Sequence, residues 1–240
     1  MIDVDASVID DLVVANHILF DQGIVDAFGH VSVRHPKRPD RFLLARNMAP
    51  GIVTADDIIE FELDGTAVSD NRRPYLERFI HGEIFRARPD VMAVVHSHSP
   101  SIVPFSVVPT APFRAVCHMC GFLGTGVSRF EIRECGSDTT DLLIRSQELG
   151  SALARSLGSS NAVLMRGHGS TVVAPDLQRA VYRAVYAEVN AKLLLDAMRL
   201  GPVTYLTDAE AESCMISTEG QVHRPWEMWK AAAIAARSTP

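Results

Sequence analysis

Val-Val-His-Ser-His-Ser-Pro, at residues 94–100, closes a short apolar run that begins at Val91. A β-branched run of this length predicts a buried strand. Side chains two residues apart on a strand share a face, so His96 and His98 point in the same direction. Two adjacent imidazoles at a strand end can chelate a divalent metal ion, and a third ligand would leave a position open for substrate. The alternative is that two solvated histidines merely lie close together in the sequence.

A second histidine at a strand end is the candidate third ligand. The apolar segment Ala162-Val-Leu-Met165 predicts another buried strand, and Arg-Gly-His-Gly follows it. Because His168 follows this strand and is flanked by glycines, it is the natural partner of the pair at residues 96 and 98.

A carboxylate precedes the histidine pair. Residues 76–88 have apolar side chains near the 3.6-residue spacing of a helix, and Pro74 lies at its entry. Glu77, in the first turn, is either a favourable charge at the positive helix end or a carboxylate at the rim of the metal site. In the second case it is a ligand or a proton carrier, and the sequence does not choose between them. His81 and Glu83 are predicted to be surface or interface groups.

The remaining elements predict one α/β domain over residues 1–240, with a central sheet of mainly hairpin-like neighbours and helices on both faces. Two tryptophans close together usually indicate burial, so the tail from about residue 206 is expected to pack on the domain or on a neighbouring subunit. Helices are predicted at 6–23, 137–157 and 177–200, with a short capped turn at 54–58 and an acidic turn before a terminal helix. Strands are predicted within 24–34 and at 42–45, 58–63, 113–119, 161–165 and 171–173.

Composition excludes several classes of protein. The chain has 240 residues, 47% of them hydrophobic, and a net charge of −6, which argues against a nucleic-acid surface. No apolar stretch approaches the roughly 20 residues that cross a bilayer, and the N-terminus does not read as a secretory leader, so a cytoplasmic protein without a membrane partner is expected. The four cysteines do not resemble a disulfide framework, and Cys117 and Cys120 are predicted to be buried thiols.

The spacing of these motifs resembles the class II aldolase/adducin family. Pro74 stands three positions before a glutamate at a helix head, His-x-His begins nineteen positions after that glutamate, and a His-Gly lies further on. The similarity extends from the opening helix to about residue 205. It implies a three-layer αβα domain with a mostly antiparallel sheet, and a homotetramer with active sites at subunit interfaces. It also implies that His96, His98 and His168 bind Mn²⁺ or Zn²⁺, and that Glu77 ligates the ion and acts as acid or base.

The segments that hold phosphate in the sugar-phosphate members of that family differ here. Gly29-His30 replaces a Gly-Asn, Ala45-Arg-Asn-Met-Ala-Pro50 replaces a Thr/Ser-Pro-x-Gly segment, and Tyr75-Leu76 replaces Ser-Ser. A phosphorylated sugar is therefore not expected. Arg46 and His30 suit a planar carboxylate, which a guanidinium can hold with two hydrogen bonds. Tyr75 and Leu76 suit a flat apolar ring.

These differences are similar to those of the decarboxylase branch of the family, which acts on hydroxylated phthalates and pyridine dicarboxylates in aromatic compound catabolism. The resemblance implies a metal-dependent carbon–carbon lyase that removes carbon dioxide through a metal-stabilised enolate-type intermediate. Glu77 and His118 would transfer protons, with His118 at the position of an aldolase tyrosine, while His30, Arg46 and Tyr75 would position a small carboxylate substrate.

Three alternatives stay open. Instead of transferring protons, His118 could be a core histidine beside two cysteines. Instead of a decarboxylase, the enzyme could be an aldolase or epimerase that acts on a non-phosphorylated hydroxy-carbonyl compound. Instead of an enzyme, the chain could be an adducin-like scaffold without catalytic activity.

Overall fold

One seven-stranded sheet forms the centre of the molecule in a computed structural model that describes residues 2–136 and 140–238. The strands are β1 (His30–Arg34), β2 (Arg41–Ala45), β3 (Ile58–Glu62), β4 (Ala93–Ser97), β5 (Ser128–Phe130), β6 (Ala162–Met165) and β7 (Gly169–Ala174). They lie in the order β3-β2-β1-β4-β7-β6-β5. Every neighbouring pair is antiparallel except β5 and β6. The mostly antiparallel sheet is therefore confirmed.

Helices pack against this sheet, and five of those in the described residues form two separate groups. The helices are α1 (Ala6–Asp21), α2 (Arg78–Ala87), α3 (Val103–Val107), α4 (Gln147–Leu157), α5 (Leu177–Leu200), α6 (Asp208–Glu219) and α7 (His223–Ser238). Helices α1, α5 and α7 contact one another, with α1 on β1 and α5 on β4 and β7. Helices α2 and α4 contact each other and lie against β2 and β6, respectively. The layers are thus helix, sheet and helix, as predicted. Within the described part of the chain, no helix is both long and apolar enough to span a bilayer.

The central strands place polar side chains inside the fold. Strands β1 and β4 are buried along their whole length, and in β1 this includes the polar side chains of His30, Ser32 and Arg34. Their register pairs His30 with His96 and Val31 with Val95. Because side chains alternate along a strand, the two histidines share one face of the sheet and the two valines share the other. Helix α2 covers the histidine face, since its His81 hydrogen-bonds to the His30 ring.

Two predicted elements are wrong because tertiary contacts satisfy the backbone in another way. Residues 113–119 form no strand, since the side chain of Asn190 accepts from the Val116 N–H and donates to the Arg114 carbonyl. Helix α4 begins only at Gln147, where the Ser146 hydroxyl caps it. The preceding segment is irregular where it is described, and residues 137–139 of the predicted helix lie outside the described residues.

The tail after residue 206 folds against its own chain. The predicted acidic turn is wrong, because Thr207 and Glu210 form a capping box that begins helix α6. Helix α7 packs on α1 and α5, and its Trp226 and Trp229 are buried. The Lys230 ammonium lies 2.6 Å from a carboxylate oxygen of Asp11 on α1.

Candidate metal centre

Four side chains converge at one end of β4. Glu77, His96, His98 and His168 each offer one ligand atom, and these atoms all lie within 4.8 Å of one another. Glu77 directly precedes α2, the two neighbouring histidines lie at and beyond the end of β4, and His168 lies in the turn between β6 and β7. Because β4 pairs with β7, that turn lies beside the end of β4.

A glycine allows this close approach. A Cβ atom on Gly169 would lie 2.1 Å from the Ser97 carbonyl oxygen, far inside contact distance. Only a residue without a side chain lets the first residue of β7 pass the end of β4 so closely. The glycine after His168 in the sequence therefore sets the separation between His168 and the other two histidines.

Hydrogen bonds fix the protonated nitrogen of two imidazoles. The Nδ1 atom of His96 donates to the Ser170 carbonyl at 3.1 Å, and that of His168 donates to the Leu142 carbonyl at 2.9 Å. A carbonyl oxygen can only accept, so Nδ1 carries a proton in both rings, and in the neutral form of each ring Nε2 carries the lone pair. Metal-bound histidines in proteins are usually held in the same way.

The Nε2 atoms of the three histidines face one another at the spacing of metal ligands. The Nε2 atom of His98 lies 3.1 Å from that of His96 and 3.0 Å from that of His168. One proton on Nε2 of His98 could be donated to only one of these two nitrogens, and the other short contact would have no proton of its own. Nitrogens about 2.1 Å from a common ion lie roughly 3.0–3.4 Å apart. The three side chains therefore fit a bound cation better than a hydrogen-bonded cluster.

The Glu77 carboxylate completes the cluster. Its Oε2 atom lies 3.7 Å from Nε2 of His96 and 3.4 Å from Nε2 of His168. Its Oε1 atom accepts a hydrogen bond from the Ile144 backbone N–H at 2.9 Å. The side chain makes no capping hydrogen bond to helix α2. Of the two interpretations that the sequence leaves open, the structure favours a carboxylate turned toward the histidines.

Burial keeps two imidazoles in the form that binds metal ions. It lowers the pKa of His96 well below 6.5, and the neighbouring imidazoles add to this effect. Burial also lowers the pKa of His98. Burial opposes the charged form of His168 too, but the hydrogen bond and charge of Glu77 outweigh it and raise the pKa of His168. Neutral imidazole is the ligand form, so His96 and His98 need no deprotonation at neutral pH.

The cluster opens to solvent on one side. Glu77 and His96 are buried, whereas His98 and His168 are partly exposed and line a cavity of about 230 Å³ together with Leu142 and Gly167. Leu142 has φ of 68°, in the left-handed region that non-glycine residues rarely adopt. Leu142 is the residue whose carbonyl orients His168. The sequence alone does not identify Leu142 as part of the site.

An exposed aromatic ring lies beside the opening. Phe28 is 67% exposed, and its ring centroid lies 6.4 Å from that of His98. Sequence reasoning assigned it only to a strand. Its position next to a histidine at the end of β4 follows from the pairing of β1 with β4.

Two more histidines lie behind the cluster. The His30 ring centroid lies 5.0 Å from that of His96 and 4.7 Å from that of Tyr75. His81 is fully buried and hydrogen-bonds to His30, so the prediction of a surface or interface group is wrong for His81 and also for the buried Glu83. Residues four apart share a helix face, so the spacing from Glu77 to His81 was the available signal.

The predicted substrate contacts differ in which atoms they leave free. The Arg46 Nε–H donates to Asp57 at 2.7 Å, and the two terminal nitrogens have no hydrogen-bond partner among the described residues. Asp57 is itself held by Thr54. The Tyr75 hydroxyl donates to the Met48 carbonyl, and burial raises the pKa of Tyr75 to about 12. Arg46 therefore has donors free for a carboxylate, whereas Tyr75 offers its ring.

His118 lies apart from the cluster of its own chain. It is exposed, so the alternative of a core histidine is wrong. It lines a different cavity, of about 470 Å³, with Tyr182, Tyr186 and Arg224 among the other lining residues. None of the four cluster residues lines that cavity. Within one chain, the structure does not bring His118 together with the cluster. Of the two predicted buried thiols, Cys120 is buried and Cys117 is partly exposed.

Comparisons with known proteins agree on the family. Residues 10–195 match the family described as Class II Aldolase and Adducin N-terminal domain. The chain is 36% identical over 237 residues to decarboxylase tropJ of Talaromyces stipitatus, with 89% of each chain covered. It is 30% identical over 182 residues to 3,4-dihydroxyphthalate decarboxylase of Rhodococcus jostii, with 72% of each covered. An aldolase II superfamily protein from Pseudomonas syringae shares the fold, with a TM-score of 0.78, 19% identity and 98% and 96% of the two chains covered.

We predict that His98→Ala weakens binding of Mn²⁺ and Zn²⁺ by more than the roughly 10–100-fold that loss of an outer-shell partner costs, because it removes a nitrogen ligand. Calorimetric titration of metal-free protein measures the affinity. The rise in melting temperature on adding either ion gives a second measurement that needs no substrate. His118→Ala is the matched control and should bind the ion like the wild type. Unchanged affinity in His98→Ala would contradict the assignment.

Proposed function

This chain belongs to the class II aldolase and adducin family, and from that premise we propose that it is a divalent-metal-dependent lyase that decarboxylates a hydroxylated aromatic or pyridine dicarboxylate. The observation that supports this best is the open cluster of Glu77 and three histidines, with the free guanidinium nitrogens of Arg46 at a position where the sugar-phosphate members have a Thr/Ser-Pro-x-Gly segment. The relatives named decarboxylases support loss of carbon dioxide over aldol cleavage.

His96, His98 and His168 would hold the ion, with Glu77 as a further ligand. A bound divalent cation, Mn²⁺ or Zn²⁺, supplies Lewis-acid stabilisation of negative charge that develops on a substrate oxygen. The neutral state of the His96 and His98 imidazoles and the Nδ1 hydrogen bonds of His96 and His168 prepare the chain for this role. The choice between the two ions depends on availability as much as on these ligands.

The protein side chains supply substrate position and one proton. In decarboxylation the bond between the ring carbon and the carboxyl carbon breaks, the electron pair stays with the ring, and carbon dioxide leaves. One proton must then add to the ring carbon. Glu77 would carry it, and the contacts of its carboxylate support this role: Oε1 accepts from the Ile144 N–H, while Oε2 faces the open cluster. Arg46 would hold a carboxylate that stays on the ring, and the faces of Tyr75 and His30 would border the ring itself.

His118 is proposed to act on a neighbouring subunit's site. It is exposed and separate from the cluster of its own chain, so a role in proton transfer requires a second chain. A homotetramer with active sites at its interfaces, as the family resemblance implies, would provide one.

We predict that the purified chain with added Mn²⁺ or Zn²⁺ releases carbon dioxide from 3,4-dihydroxyphthalate or from a hydroxylated pyridine dicarboxylate, and that chelation abolishes the release. Aldehyde formation from a non-phosphorylated hydroxy-carbonyl compound, without carbon dioxide from any dicarboxylate, would favour the aldolase alternative. A chain that binds no divalent ion would support the scaffold alternative.

We predict that Arg46→Ala raises KM for the dicarboxylate by about ten- to a hundredfold and leaves metal content unchanged, because a charged hydrogen bond contributes about 1.5–3 kcal/mol. Thr54 still holds Asp57 in this variant, so the fold should persist. Arg38→Ala, at the turn between β1 and β2, is the matched control and should leave KM unchanged. A parallel loss of metal and activity in Arg46→Ala would show that the arginine is structural.

A further inference from the structure

Three buried polar side chains form a hydrogen-bonded chain beneath the metal cluster. The Ser32 hydroxyl lies 2.6 Å from Nδ1 of His81, and Nε2 of His81 lies 2.6 Å from Nδ1 of His30. Ser32 and His81 are fully buried, and His30 is 4% exposed. These contacts join strand β1 to helix α2 on the face of the sheet that carries His96.

The direction of this chain follows from its innermost member. Among the residues that the structure describes, Ser32 Oγ has one hydrogen-bond partner, which is His81 Nδ1. A buried donor left without an acceptor costs about 1–3 kcal/mol, so the hydroxyl proton must point at that nitrogen. In the opposite arrangement His81 would donate to the serine, and the hydroxyl proton would have no acceptor. Ser32 is therefore the donor and His81 Nδ1 the acceptor.

This direction carries through both rings. Burial lowers the pKa of His81 to about 3, so the ring is neutral and its single proton lies on Nε2. That nitrogen donates to Nδ1 of His30, which must accept. Because Nδ1 of His30 accepts this hydrogen bond, the ring proton of His30 lies on Nε2. No described residue hydrogen-bonds to this Nε2–H.

We propose that Ser32 and His81 are positioning residues that fix His30 as an Nε2–H donor, and that the substrate group opposite it is a hydrogen-bond acceptor, such as a carboxylate or phenolate oxygen. The proposal rests on the proposed function for the identity of the substrate. It deepens that function, because it states which hydrogen-bonding partner the substrate must present at this position. A site in which His30 was an acceptor would instead select a group that donates a hydrogen bond, such as an ammonium group.

The chain orients His30 but does not conduct protons. If His30 gave up its Nε2 proton and refilled Nδ1 from His81, His81 would have to take the serine proton and leave a buried alkoxide. No described side chain stands behind Ser32 to replace that proton. Loss of Ser32 or His81 should therefore weaken substrate binding more than it slows the chemical step.

We test the proposal with the metal-loaded full-length chain in two ways. Nitrogen-15 spectra of the histidine side chains, assigned with His30→Gln, report which ring nitrogen carries the proton. The wild type should show His30 protonated on Nε2, and Ser32→Ala should weaken this preference. For the decarboxylation, His81→Met should raise KM by about ten- to a hundredfold with less than a threefold change in kcat and unchanged metal content. His81→Gln, whose amide can donate to His30, should recover most of the loss.

His35→Gln is the matched control, since His35 is also buried and hydrogen-bonded but lies at the turn between β1 and β2. It should lower thermal stability without changing KM. Wild-type His30 protonated on Nδ1 would overturn the proposal, and so would equal effects of His81→Met and His35→Gln on KM. If His81→Met does not fold, Ser32→Ala decides the question by the same spectra and the same KM. If no dicarboxylate is decarboxylated, the proposed function fails while the spectra still test the direction of the chain.

Discussion

Two imidazole nitrogens, on His96 and His168, held about 3 Å from Nε2 of His98 are the constraint on which the candidate site depends. Buried lone pairs at this spacing repel unless a positive charge lies between them. The fold enforces the arrangement through backbone carbonyls that hold two of the imidazoles by Nδ1, at Ser170 and Leu142. Gly169 lets β7 lie close to this end of β4, and Glu77, which directly precedes α2, extends toward the same end. The order of the strands, Gly169 and the start of α2 therefore together position the side chains of Glu77, His96, His98 and His168.

The sequence predicts the parts of the site that lie on regular elements. A His-x-His at the end of an apolar run must place both imidazoles on one face, and the following strand and its glycine-flanked histidine obey the same rule. The antiparallel arrangement and the helix layers follow from the family resemblance. Elements whose backbone is satisfied by distant side chains were not predictable in this way. Asn190 replaces a neighbouring strand for residues 113–119, and the segment before α4 gives a backbone N–H to Glu77.

Some local signals were present in the sequence and were not used. The Thr-x-x-Glu pattern at Thr207 marks the start of α6. Helical spacing from Glu77 places His81 on the inner face of α2, where it meets His30. The conformation of Leu142 has no comparable signal, because a positive φ at a leucine is imposed by the surrounding structure. His118 also could not be placed from a single chain, since it lies on the surface and away from the cluster.

The proposed substrate contacts and the proposed metal ligands lie on different parts of the fold. The candidate ligands lie at strand ends and at a helix start. In contrast, His30 lies on β1, Arg46 lies in the segment after β2, and Tyr75 lies in the segment before α2. Each of the three has one polar atom tied to another protein group, and this determines which surface it presents to the site. The family members with phosphate-binding segments share the layers and differ at these positions.

X-ray absorption spectroscopy of the zinc-loaded protein tests the central claim most directly, because it counts imidazole ligands on the ion itself. The account predicts three histidine nitrogens in a first shell of nitrogen and oxygen atoms at about 2.0–2.1 Å. A first shell that contains sulfur, or one without the outer scattering of several imidazole rings, would contradict it.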